Sequence, residues 1–72
     1  MYFAKGDKVK LTDAALDRLY PGSWCSKARQ INSARRFTVV GRRHDGLGMR
    51  VTTDGLSPNY TQTYHITFLE KA

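Results

Sequence analysis

The chain has 72 residues, 40% of them hydrophobic and 25% charged, and a formal net charge of +6. That balance fits one small globular domain and excludes a disordered polyelectrolyte. Its longest apolar run is four residues, Met1 to Ala4, far short of the ~20 that a membrane-spanning helix needs, and a domain this short has little room for a deep cavity.

The stretch "KGDKVKLT" opens on a Gly-Asp turn, after which Val9 and Leu11 alternate with Lys8, Lys10 and Thr12. A period of two predicts a half-buried first strand. Thr12 or Asp13 can cap a short helix over residues 13 to 20, because either side-chain oxygen accepts from a free backbone N–H. Ala15, Leu16, Leu19 and Tyr20 share one face of it, and Pro21-Gly22 ends it. Residues 22 to 34 read as an irregular loop, with Asn32-Ser33 breaking any turn of helix around Ala28 and Ile31. Trp24 is expected to be partly buried near the first helix.

"RRFTVVGRR" reads as the second strand, with Phe37 and Val39 pointing inward and Arg36, Thr38, Val40 and Arg42 outward. Asp45-Gly46 turns the chain back, since Asp-Gly suits a tight hairpin. "MRVTT" is the third strand, rich in β-branched residues. "DGLSPNYT" is a loop of turn formers, and "QTYH" is the fourth strand. "ITF" is expected as one 3-10 turn and "LEKA" as the closing strand. The expected core is Val9, Leu11, Phe37, Val39, Val51, Ile66 and Leu69, with Leu16 and Leu19 packing from the helix.

Five short strands with one 3-10 turn before the last give a mainly β fold: a single domain over residues 1–72, built as a small five-stranded SH3-like barrel. One short helix joins its first two strands. Closure would remove exposed sheet edges, which so short a chain has few other ways to cover.

The charge is concentrated. Residues 27 to 50 carry Lys27, Arg29, Arg35, Arg36, Arg42, Arg43 and Arg50 against Asp45 alone, while the rest of the chain is balanced. Six of these seven bases are arginine, whose planar fork suits phosphate and carboxylate. At ~3.3 Å per residue, Arg36 and Arg42 are expected about 20 Å apart on one face of the second strand. Arg43 and Arg50 should approach across the hairpin. With Lys27, Arg29 and Arg35 they are expected to form a cationic band, and Trp24 and Tyr60 are the rings available for stacking on bases. The partner read from this pattern is DNA or RNA; a host protein is the alternative, because arginine and aromatic residues also favour protein interfaces.

No constellation for catalysis is visible. Cys25 is the single thiol, and His44 and His65 lack metal-ligand spacing with it. His65 is expected to bond the backbone near the 3-10 turn. Asp7, Asp13, Asp45 and Asp54 fall at turn or cap positions. "GRRHDGLG" joins two strands, so it is not a phosphate-binding loop. The expectation is a non-enzymatic binding module without metal or cofactor, as a monomer or a dimer. The lone cysteine points to a reducing cytoplasm. Lys5, Asp7, Lys8 and Lys10 occupy the place of a signal peptide's apolar region.

Four stretches together carry a resemblance: "GDKVKLT", "FTVVG", "GMRVTTDG" and "TYHITFLEKA". They resemble the "GDxVxLT", "GTVVG", "VxWDG" and "TYHxxFLE" segments of small SH3-like, KOW/Tudor-type barrel proteins found in bacteriophage and prophage genomes. Arg36-Phe37 depart from the pattern's Gly-Thr, and Thr53 stands where a tryptophan is frequent. The resemblance implies the barrel fold and a phage-type protein working inside a bacterial host. Related barrels in ribosomal proteins and transcription factors bind RNA, DNA or RNA polymerase, an analogy of fold only.

Overall fold

The first strand begins at a turn that the Gly6-Asp7 pair makes possible. Gly6 takes a φ of 93°, and the Asp7 carboxylate accepts from Ala4 N–H at 2.8 Å. The computed structural model describes residues 3–44, 46–57 and 59–72. Strand β1 (Lys8–Leu11) buries Val9 and Leu11 and leaves its lysines on the solvent side. Helix α1 (Asp13–Leu19) is capped by Thr12, whose hydroxyl accepts from Ala15 N–H at 3.0 Å. Ala15 and Leu16 pack inward. Leu19 stays 40% exposed, contrary to expectation, because the helix ends there and Tyr20 packs against the core instead.

Residues 22 to 34 are not a loop. A 3-10 turn over Ser23–Cys25 leads directly into helix α2 (Ser26–Ala34). The supposed breakers belong to the helix: Asn32 Nδ2 donates to Ala28 O and Ser33 Oγ to Gln30 O, both at 2.8 Å. Short polar side chains that bond back to their own turn are compatible with a helix end. Trp24 is 86% exposed rather than partly buried. Its indole folds back over Gly22, where an added Cβ would lie 3.0 Å from Nε1. The core instead recruits Phe3 and Met49, which sequence reasoning did not select.

Strands β2 (Phe37–Arg42), β3 (Gly48–Thr53), β4 (Thr61–His65) and β5 (Leu69–Lys71) complete one antiparallel sheet in the order β4-β3-β2-β1-β5. Another 3-10 turn, Ile66–Phe68, precedes β5 as predicted, and His65 Nδ1 caps it by accepting from Thr67 N–H at 3.2 Å. Ile66 is only partly buried there. Val9, Leu11, Phe37, Val39, Val51 and Leu69 are buried as expected, and Tyr64 meets Phe37 edge-on at 5.6 Å.

The architecture is mixed α/β: an open five-stranded sheet with two helices, where one helix and barrel closure were expected. Strands β4 and β5 are the two edges, and among the described residues no ladder joins them. A β-bulge sets which side chains share a face. Val39 pairs with Val51, but Gly41 pairs with Arg50 and Arg42 with Met49. The extra residue shifts the alternation by one, and a one-residue shift moves every later side chain to the other face. Arg42 therefore takes the core-side register of Met49, and does not share a face with Arg36.

Candidate functional site

Of the five acidic residues described, four are in ion pairs, mostly with lysines outside the basic segment. Asp54 binds Lys8 at 3.0 Å, Glu70 binds Lys10 at 3.8 Å and Asp7 binds Lys71 at 3.4 Å. The fourth ties the two helices, Asp17 of α1 to Arg29 of α2. Thr38 Oγ1 also donates to Asp54 at 2.8 Å, and this bond, with the Lys8 ammonium, holds the carboxyl below the ordinary aspartate range. Three of these four carboxylates are thus taken up by lysines outside the basic segment. Lys27, Arg35, Arg36 and Arg50 have no carboxylate partner among the described residues.

The expected continuous band is divided among several surfaces. Lys27 and Arg29 lie on α2, not on a loop. Arg36 turns back on the end of that helix and donates to Ser33 O and Arg35 O, both at 3.0 Å. Arg43 and Arg50 share the solvent face of the sheet. Arg50 stands opposite Gly41 and Thr63. The Arg43 side chain crosses Gly48, where an added Cβ would overlap its Cδ and lie 3.0 Å from Thr63 Cγ2. Around them lie Thr52, Thr61, Thr63 and His65, all on the solvent register of β3 and β4. Arg42 and His44 are exposed at the hairpin, whose Asp45 lies outside the described residues. Tyr60 is 71% exposed in the β3–β4 loop, so both it and Trp24 present open rings.

Arg35 stands apart from Lys27, Arg36 and Arg50, because it is half-buried and opens onto a cleft of about 190 Å³. The cleft lies on the core side of the sheet, between the end of α2 and the β3–β4 loop. Asn32, Arg35, Phe37, Thr53, Leu56 and Gln62 line it. Thr53 is the one polar side chain in the buried set of the described residues. Gln62 Oε1 accepts from the Tyr64 hydroxyl at 2.9 Å. Burial pushes the Tyr64 phenol above its ordinary pKa, Tyr20 adds to the rise and Arg35 opposes it. Sequence reasoning found Arg35 but not Asn32, Thr53, Leu56 or Gln62. The one usable signal was alternation in β4, which puts Gln62 on the same face as Tyr64.

Cys25 is a half-buried free thiol. Comparison of the chain with protein-family models, with curated proteins and with solved structures gives no significant match. No helix among the described residues is long and apolar enough to cross a membrane.

Proposed function

We propose that this chain is a non-enzymatic, phage-type binding module of SH3-like barrel class that contacts nucleic acid inside a bacterial host. The contact surface in this reading is the solvent face of β2, β3 and β4 around Arg43 and Arg50. Its main support is the division of charge: among the described residues, carboxylates pair with Lys8, Lys10, Lys71 and Arg29, while Lys27, Arg35, Arg36 and Arg50 have no carboxylate partner. Arginine without a carboxylate partner on a threonine-rich sheet face suits phosphate. The strand order and the 3-10 turn before β5 support the barrel class, which requires β4 to curl towards β5.

A mobility-shift series over salt concentration tests the activity. Retardation of DNA or RNA should weaken with a log–log slope of about −0.9 per neutralised duplex phosphate, or about −0.7 for single strands. Replacing Arg43 and Arg50 by alanine should make the slope shallower by roughly 1.5 to 2. No retardation at low salt would sink the reading. A single protein retained from host lysate after nuclease treatment would favour the adaptor alternative.

A further inference from the structure

We propose that the cleft at Arg35 holds one unpaired nucleobase, with guanine the best fit to its donors and acceptors. This rests on the nucleic-acid reading and assigns a second, base-reading site on the opposite side of the sheet from Arg50.

Size comes first. At about 190 Å³ the cleft is smaller than the roughly 300 Å³ at which drug-sized pockets begin. It has room for a single planar group, not for a length of polymer.

Chemistry narrows the choice. Asn32 donates one Nδ2 proton to Ala28 O, which leaves its acceptor Oδ1 and one N–H for a ligand. Gln62 Oε1 accepts once, from the Tyr64 hydroxyl, which leaves both Nε2 protons and one Oε1 lone pair for a ligand. Arg35 adds a guanidinium fork that no carboxylate occupies among the described residues, and the Thr53 hydroxyl can do either. The cleft therefore offers the strong donors of Arg35 beside amide groups that both donate and accept. A phosphate or a peptide carboxylate carries acceptors only, and would face Asn32 Oδ1 unfavourably. Guanine satisfies both kinds: its O6 and N7 are adjacent acceptors that an arginine fork matches, and its N1–H and N2–H₂ are donors for Asn32. Adenine and cytosine each set an amino donor beside the acceptor that Arg35 would seek, so they fit the fork less well. Leu56, half exposed at the rim, supplies apolar contact to a bound ring.

The test uses nucleosides, which carry a base and no phosphate. Guanosine, adenosine and cytidine are titrated separately into ¹⁵N-labelled protein, with inorganic phosphate and acetate as anion controls. Guanosine should move the side-chain resonances of Asn32, Gln62 and Arg35 most. Arg35→Lys keeps the charge but loses the fork, and should weaken guanosine binding about tenfold or more. Arg50→Ala should leave it unchanged. The assignment is overturned if guanosine moves none of these resonances, if the three nucleosides act alike, or if phosphate or acetate moves them as much. Should guanosine fail while oligonucleotides are still retarded at low salt, the cleft assignment falls alone. If both fail, the nucleic-acid reading falls with it.

Discussion

Val39 and Val40 are neighbours of the same type, yet the bulge gives them opposite fates. Val39 is 1% exposed and faces Val51 across the ladder, whereas Val40 is the unpaired extra residue and only partly buried. Val39→Ala removes two methyl-sized groups, worth about 1.6 kcal/mol at ~0.8 kcal/mol each. A residual-cavity cost on the order of 1 kcal/mol is added where neighbours cannot collapse inward. Here they cannot follow easily, because the Val39 backbone is pinned on both sides: its N–H donates to Asp7 O at 2.9 Å and its carbonyl accepts from Gly6 N–H at 2.7 Å. The expected loss is therefore about 2.5 kcal/mol, against roughly 4–11 kcal/mol of total stability for a domain of this length. With a urea m-value of about 1 kcal/mol/M, the unfolding midpoint should drop by roughly 2.5 M. Val40→Ala should cost below about 1 kcal/mol. Equal losses for the two variants, or a loss below about 0.5 kcal/mol for Val39→Ala, would refute the bulge placement and the face assignment of Arg42 that depends on it.

Asp54 should shape the acid limb of stability. Its carboxyl is held low in the folded state, chiefly by Thr38 and then by Lys8, so its contribution is present above the unfolded value and is lost as pH falls below about 4. Asp54→Asn should flatten the decline of thermal stability there, and parallel declines in both proteins would contradict this. Gly48→Ala tests the seat of Arg43. Gly48 has no positive φ, so the added methyl strains contacts rather than backbone. The Arg43 stem must move and Thr63 must yield slightly, for a cost of about 1 kcal/mol in a denaturation curve. Affinity for nucleic acid should fall nearly as far as in Arg43→Ala; unchanged affinity would show that the position of this side chain is irrelevant.

Where a rule of local physics acts alone, the sequence was legible. Alternation gave β1 and β2, and β-branched enrichment gave β3, with most of their core residues; the Thr12 cap and the His65 turn follow from single side chains reaching nearby N–H groups. Helix α2 was missed because Asn32-Ser33 reads as a break unless their bonds to Ala28 and Gln30 are known. The bulge leaves only a faint trace, a glycine next to it in the strand, yet it moves Arg42 away from Arg36. Trp24 misled because a large ring is usually half-hidden, whereas here Phe3 and Met49 fill the core. The cleft was beyond local reasoning: it joins a helix end, three strands and a loop, whose residues run from Asn32 to Gln62.

Strand β4 decides how the two proposed surfaces can serve one ligand. Gln62 and Thr63 are consecutive, but Gln62 pairs with Val51 on the core side and Thr63 with Arg50 on the solvent side. The cleft and the arginine face are thus separated by the thickness of a single edge strand. A polymer with phosphates on Arg50 and a base in the cleft must bend around that edge. A duplex cannot do this without opening, since its bases are paired and turned inward, and extruding one costs a few kcal/mol. A single strand bends freely and carries its bases unpaired. The arginine face alone would accept either form, through phosphate contacts that ignore sequence. Engagement of both surfaces selects the single strand and adds a preference for guanine at one position. Loss of Arg35 should then cost base preference while leaving the salt slope nearly intact, and loss of Arg50 should do the reverse.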